Sequence, residues 1–448
     1  MEFSGKKILI IGAKRSGAAA ADLLVRHGAA VRVMDAQALA PQEQARFDAL
    51  GVETVLQSEE NVGEPDLIVP SPAVPLDLPL LAAARERGVP VLGEVEIASY
   101  FLKGPVIGIT GSNGKTTTTA LTAHLLQECG IDAQAGGNIG VPVSALAGSS
   151  REDQWNVLEL SSFQLETIAS FRAGIAACLN VTPDHLDRHG TFENYAAAKA
   201  RLFETQQPTD FAVLNYEDET CRSFESHTPG RVFWFSSARI PPLGVWMNES
   251  NLFFNTRPFM QRSQVKLRGI HNLENVMAAA LMAHLAGAKL EAIGAAVASF
   301  PGVEHRIEYV RTVEDVAYYN DSKATNVDAT LKAIDAFPGR LWIILGGKDK
   351  GSDYTPLRER LEQRARAALL IGAEPPYPYA AAPRIRKALE GALPVLDCRT
   401  LDAAVRYARE HAQAGDVVLL APACASFDQF ENYEQRGDTF KHLVAELS

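Results

Sequence analysis

The stretch PVIGITGSNGKTTTT at residues 105–119 decides how the rest of the chain is read. Its first half is a short apolar run with β-branched residues, which predicts a buried strand. Its second half is a glycine turn leading into an amphipathic helix. Glycines at 111 and 114 let backbone N–H groups approach a phosphate, and the helix N-terminus adds partial positive charge. Lys115 can reach terminal phosphate oxygens, and the Thr116 hydroxyl can bind Mg²⁺. Gly111, Ser112, Asn113, Gly114, Lys115, Thr116, Thr117 and Thr118 therefore read as a phosphate cradle. A strict P-loop would have its first glycine at 109, whereas this chain has it at 108. The alternative is a glycine turn that only caps a helix.

Outward from this stretch the chain keeps the rhythm of short apolar strands alternating with helices, the mark of parallel sheets with crossover helices. Before it come KKILIIG, a helix from about Ser16 to His27, AAVRVMD, DLIVPSP and VPVLG, and then a linker at Tyr100–Pro105. After it come WNVLEL, AACLNVT, FAVLN and the helix HNLENVMAAALMAHLAG, closed by the Phe300-Pro301-Gly302 break. The last part holds VAYYND, LWIILGG, ALLIGA and DVVLLAP between Ala/Arg/Glu-rich helices. The expected fold is α/β with three domains. These are a Rossmann-like unit at 1–94, a P-loop-type ATPase unit at 95–302 and a second Rossmann-like α/β unit at 303–448.

Length and composition narrow the class. A chain of 448 residues with 47% hydrophobic content is too long for one ordinary core. Its net charge of -11 is spread without a basic run, which argues against nucleic acid as a partner. No apolar stretch approaches the roughly 20 residues needed to span a bilayer, and the N-terminal run is too short for a signal segment. Five separated cysteines without CxxC spacing predict reduced thiols, with neither a disulfide framework nor a zinc site.

Further chemistry-bearing residues stand at strand ends. Glu159 closes WNVLEL, and Asp184, His185, Asp187 and His189 follow AACLNVT. Open parallel sheets bind ligands outside the carboxyl ends of their strands, so both groups are expected near the cradle, where a hard cation would fit. Asp187 and His189 taken singly read better as loop charges or helix caps. The loop GAKRSG at 12–17 has Lys14 where a dinucleotide fingerprint wants glycine, and Asp35 ends the next strand where an acidic residue reads a ribose. With Lys14 and Arg15 it suits a diphosphate nucleotide sugar better than a nicotinamide cofactor, though by itself the loop leaves a plain Rossmann turn open.

Taken in order, GSNGKTT, LELSSFQLE, NVTPDHLDRHGTFENYAAAK, HNLEN, His305-Arg306 and NDSKATN resemble the motifs of the Mur ligase family over essentially the whole chain. NDSKATN and LLAPACASFDQFENYEQRGDTF look like the branch that adds D-glutamate. The resemblance implies a cytoplasmic, monomeric ATP- and Mg²⁺-dependent ligase of peptidoglycan precursor synthesis, joining D-glutamate to UDP-N-acetylmuramoyl-L-alanine through an acyl phosphate.

It also implies roles. Lys14, Arg15, Ser16, Asp35, Ser71, Asn138 and His185 would meet the UDP substrate. Lys115 and Thr116 would meet the ATP phosphates and one magnesium, and Glu159 and His185 a second. Asn272, Asn275 and Asp321 would meet adenine and ribose, with Arg306 and Lys323 near the transferred phosphoryl group. Thr325, Lys350, Ser426, Phe427 and Tyr433 would cradle D-glutamate. Lys199 matches a lysine that the family carries N-carboxylated and metal-binding; the alternative is a solvent-facing lysine on an amphipathic helix. Cys424 reads as a small buried residue. Rival readings are a folylpolyglutamate-type ligase, a nicotinamide oxidoreductase and a P-loop switch without synthetic activity.

Overall fold

The computed structural model describes residues 2–373 and 377–447, except for the side chain of Asp187. The chain divides into two compact units, residues 1–266 with 274–300 and residues 267–273 with 301–448. The first contains two sheets and the second contains one.

The N-terminal sheet has strands β1 (Lys7–Ile11), β2 (Ala30–Asp35), β3 (Glu53–Leu56) and β4 (Leu67–Pro70), in the order β3-β2-β1-β4 and all parallel. The helix Arg15–Arg26 packs an alanine-rich face, Ala18 to Ala21, onto it. VPVLG is not a strand. It makes one bridge, Val91 to Ile68, and the chain then turns into the buried helix Glu94–Ser99.

The central sheet is nine-stranded. Its parallel part comprises β5 (Val106–Thr110), β6 (Ala133–Gly137), β7 (Trp155–Glu159), β8 (Ile175–Cys178), β9 (Phe211–Asn215) and β10 (Arg231–Ser236). The parallel part continues into β11 (Gly244–Met247), and β12 (Asn251–Phe254) and β13 (Arg257–Gln261) extend that edge as antiparallel strands, giving the order β13-β12-β11-β10-β9-β8-β5-β7-β6. β5 lies between β7 and β8, with Ile109 opposite Glu159 and Thr110 opposite Cys178. All five of its residues are buried, as a strand covered on both faces requires. Gly108 is a packing residue: a Cβ there would lie 2.9 Å from Leu202 Cδ1 and 3.2 Å from Ala173 Cβ. That accounts for a glycine one position from the P-loop pattern.

The C-terminal sheet runs β14-β15-β19-β16-β17-β18. These are Glu308–Val313, Val316–Asn320, Val417–Leu420, Leu341–Gly346, Ala365–Ile371 and Val395–Arg399 in that order. Only β14 is antiparallel. Among the described residues no helix is long and apolar enough to cross a membrane.

Candidate active site

The loops that follow β5, β6, β7 and β8 leave the same edge of the central sheet, and they carry Gly111–Lys115, Asn138, Leu160–Ser162 and Asn180–His185. The cradle is held from beneath by Asn180. Its carbonyl accepts from Ser112 N at 2.8 Å, its Oδ1 from Asn113 N at 2.8 Å, and its Nδ2 donates to Asn113 O at 3.1 Å. Ser112 Oγ donates to Thr182 O at 2.9 Å and lies 3.0 Å from Tyr195 Oη. Gly114 begins the helix Lys115–Glu128 at φ 88°, and a Cβ there would lie 2.3 Å from Asn275 Oδ1. A side chain is excluded at that position by both backbone strain and space. Lys115 Nζ donates to Gly111 O at 2.7 Å and Ser112 O at 2.8 Å, folding the lysine over its own loop.

Lys199 lies under the same loop. It projects inward from the helix Phe192–Glu204, is 1% exposed, and donates from Nζ to Gly111 O at 2.9 Å. Its ammonium rests 4.5 Å from the centre of the Tyr195 ring. The solvent-facing alternative is thereby overturned: the helix turns Lys199 to the core face together with Tyr195, Ala196 and Phe203. Burial, and then the charge of Lys115, pull the Lys199 pKa from 10.5 down to about 7. Burial likewise pushes the Tyr195 phenol up to about 12.

Glu159 is buried at the end of β7. Asn138 Nδ2 donates to its Oε1 at 3.1 Å, whereas its buried Oε2 has no hydrogen-bond partner. An orphaned carboxylate oxygen beside a phosphate cradle is the arrangement a hard cation satisfies. His185 is exposed, adopts φ 51° and lies with its ring 4.9 Å from that of Phe163. Among the described residues, no three His, Cys, Asp or Glu side chains gather as metal ligands. His189 is buried, with Nε2 3.0 Å from Ser162 Oγ and Nδ1 3.3 Å from Glu166 Oε1, so it is neither a solvated loop charge nor a cap. The side chain of Asp187 lies outside the described residues.

In the N-terminal loop, Asp35 Oδ2 accepts from Ala13 N at 2.8 Å and Ser71 Oγ donates to Gly12 O at 3.0 Å, so both residues brace the turn. Gly17 lets the helix approach, since a Cβ there would lie 1.8 Å from Gly12 O. Lys14 and Arg15 are exposed, Ser16 is half-buried, and the Arg15 guanidinium donates to Gly140 O.

In the second unit, Asp321 follows β15 and is buried. Burial raises its carboxyl to about 7 against the lowering influence of Arg306. Lys323 N donates to His305 O at 3.2 Å, and Lys323 Nζ lies 5.1 Å from the Tyr433 ring centre. Asn272 Nδ2 donates to Arg268 O at 2.7 Å. Ser426 and Cys424 are buried, Thr325 is half-buried, Lys350 is exposed, and Phe427 is 64% exposed. Burial lifts the Cys424 thiol to about 12, as befits an inert packing residue.

Sequence reasoning missed the residue that ties these segments together. Arg436 is 1% exposed, and its Nε donates to Ser322 Oγ at 3.0 Å, one Nη to Ser322 O at 2.8 Å and both Nη to Cys424 O at 3.3 Å. It joins NDSKATN to PACAS from a helix face that reads as surface. Asp349, given no role from sequence, accepts from Tyr354 Oη at 2.8 Å and from Arg384, and so fixes the turn that presents Lys350.

Comparison with known proteins places this geometry in a family. Residues 6–93 match the model of the Mur ligase MurD-like N-terminal domain, 109–283 the Mur ligase middle domain and 305–424 the Mur ligase glutamate ligase domain. A UDP-N-acetylmuramoylalanine–D-glutamate ligase of Solibacter usitatus (strain Ellin6076) is 56% identical over 444 residues, 99% of this chain and 98% of that one. One from Acidobacterium capsulatum is 50% identical over 99% of this chain and 97% of its own. In fold, the chain is similar to the UDP-N-acetylmuramate-alanine ligase MurC of Thermotoga maritima, with TM-score 0.62 at 19% identity, covering 98% of this chain and 99% of that one. A pseudomurein peptide ligase type C of Methanothermus fervidus gives 0.59 at 18%, covering 99% and 100%. With three α/β domains matched in order and relatives alike over nearly their whole length, the chain belongs to the Mur ligase family.

Proposed function

We propose that this protein is the ATP-dependent ligase that joins D-glutamate to UDP-N-acetylmuramoyl-L-alanine, acting as a cytoplasmic monomer with domain limits at 1–94, 95–302 and 303–448. The observation that carries the reading is the joint presence of a phosphate cradle on the central sheet and near-full-length identity to ligases of that name. A carboxylate is a poor acyl donor, so the donor's alanine carboxylate takes the γ-phosphoryl group of ATP. ADP leaves, the neutral D-glutamate amine then attacks the acyl phosphate carbon, and phosphate and one proton depart as the amide forms. Catalysis of this kind is mainly positioning and charge neutralisation.

Gly111 to Thr118 hold the ATP phosphates, with Lys115 against the terminal ones. Asn272, Asn275 and Asp321 take adenosine, and Arg306 and Lys323 take the transferred group. Lys14, Arg15, Ser16, Asp35, Ser71, Asn138 and His185 bind the UDP substrate. Mg²⁺ would be held by Thr116, Glu159, His185 and Lys199, and when bound it neutralises charge on phosphoryl and carboxylate oxygens. The orphaned Oε2 of Glu159 fits that role.

Lys199 is N-carboxylated in this reading. A neutral amine attacks carbon dioxide, an N–C bond forms, and one proton leaves to solvent. Burial pulls its pKa down to about 7, so the neutral amine that reacts is far more abundant near neutral pH than for an ordinary lysine. The product replaces repulsion from the Lys115 ammonium with attraction, and it supplies hard oxygen ligands.

D-Glutamate is met by Thr325, Lys350, Ser426, Phe427 and Tyr433. Replacing Lys350 or Ser426 with alanine is expected to raise KM for D-glutamate roughly tenfold or more, the equivalent of a lost charge-assisted bond, with KM for ATP nearly unchanged. An equal rise in both constants would assign these residues to shaping the domain instead of recognising the acceptor. The reading as a whole is tested by acceptor choice: phosphate release should need the UDP donor together with D-glutamate. Release with L-glutamate or a diamino acid in its place would contradict it.

A further inference from the structure

His185 sits on a backbone conformation that is uncommon outside glycine. It begins the one-turn helix Leu186–His189 at φ 51°, in the left-handed region that few non-glycine residues occupy, histidine more readily than most, and its surroundings help to hold it there. The surroundings come from the neighbouring segment Ser161–Glu166. Phe163 touches three side chains of the turn. Its ring centre is 4.9 Å from that of His185, edge-on, 5.5 Å from that of His189, stacked, and 5.1 Å from the Arg188 guanidinium carbon. Glu166 closes the same turn by charge. Its Oε2 accepts from Arg188 at 2.9 Å, and its Oε1 lies 3.3 Å from His189 Nδ1. Ser162 Oγ holds the other imidazole nitrogen of His189 at 3.0 Å.

The anchor is itself fixed. Ser161 and Gln164 form a reciprocal cap on the helix Ser162–Leu165, and Arg201 donates to the carbonyls of Glu166, at 3.1 Å, and Ile168. Both partners of the Glu166–Arg188 pair are mostly withdrawn from water, with side chains 19% and 16% exposed, so solvent weakens the pair less than a surface bridge. The His185 ring, by contrast, is exposed, lying edge-on against Phe163 and 3.6 Å from Asp184. Its aim therefore depends on the turn beneath it.

We infer that Glu166, with Phe163, is a positioning residue: it touches no reactant, but holds the Leu186–His189 turn so that the His185 imidazole faces the donor carboxylate and its metal. The inference rests on the proposed role of His185. Its experiment is a double-mutant cycle with His185→Ala, Glu166→Ala and the combined variant, with Glu166→Gln as the conservative control. Two quantities are measured for each protein: kcat, and the affinity for Mn²⁺ by electron paramagnetic resonance in the presence of the UDP donor and a non-hydrolysable ATP analogue. Supporting groups behind a metal ligand typically carry roughly 10- to 100-fold in affinity or activity. Glu166→Ala is expected to lose about that much in both quantities, with KM for D-glutamate unchanged. Glu166→Gln keeps one acceptor oxygen for Arg188 and should recover part of the loss, also if the alanine variant does not fold. Adding Glu166→Ala to His185→Ala should cost less than about twofold more, because the group it aims is already gone.

If His185→Ala is impaired while Glu166→Ala is not, or if the two losses multiply, the positioning role is overturned and the role of His185 stands. If His185→Ala keeps wild-type turnover and Mn²⁺ affinity, the role of His185 falls and the inference with it.

Discussion

Lys115→Ala is expected to reduce phosphate release dependent on D-glutamate by about 10²–10³-fold or more, the scale of removing a preorganised donor from developing phosphoryl charge. Binding of the UDP donor, followed by calorimetry, should stay within about twofold because its proposed contacts, the N-terminal residues together with Asn138 and His185, do not include Lys115. Lys115 follows Gly114, whose positive φ only glycine adopts freely, and folds back over Gly111 and Ser112, so its amine is held against the loop that would carry the phosphates. Turnover near wild type would remove the cradle from the reaction. The substitution also has a local electrostatic effect: without the Lys115 charge, Lys199 loses its second source of pKa depression and should titrate at higher pH.

The second large effect belongs to Lys199. Lys199→Ala should lose most activity, about 10²-fold or more if the anionic carbamate and its oxygen ligands disappear with it. Formate or acetate should restore part, because either can lie where the carbamate oxygens would be. Since the position is fully buried, truncation also opens a cavity worth roughly 2–5 kcal/mol. Lys199→Met separates the two causes: it fills the space but has no amine to carboxylate, so it should be as inactive as the alanine variant while melting closer to wild type. Wild-type protein in ¹³C-labelled bicarbonate should show a carbamate carbon resonance that both variants lack. Active variants, or no such resonance, would return Lys199 to a structural role under the loop.

The parts legible in the sequence were those where one residue type has one physical use. Glycines at 111 and 114 fall where φ is positive, and the apolar runs around them are strands buried on both faces. Most of the strands that escaped are short or half-exposed, though β10, RVFWFS, is largely buried. β14 alternates exposure along EYVRTV as an antiparallel edge, β6 is AQAGG with few apolar side chains, and β12 and β13 extend the sheet beyond its parallel part. VPVLG looked like a strand by composition, yet the polar-looking EVEIAS after it is a buried helix. There the Glu96 carboxylate collects backbone N–H groups of Ala169, Ser170 and Phe171 at 2.8–3.1 Å, and Glu94 takes Ser144 N at 2.6 Å. Charged residues that are buried because they satisfy distant backbone donors carry no periodic signal. The same reason hides Arg436, whose partners are more than a hundred residues away in Ser322 and twelve away in Cys424.

The central claim is that the protein phosphorylates the donor carboxylate, and isotope transfer tests it most directly. UDP-N-acetylmuramoyl-L-alanine carrying ¹⁸O in both oxygens of its alanine carboxylate is turned over with ATP, Mg²⁺ and D-glutamate, and the released phosphate is analysed by mass spectrometry. Passage through an acyl phosphate predicts one ¹⁸O in each phosphate released and one retained in the new amide. Unlabelled phosphate formed at the rate of amide synthesis would contradict the account.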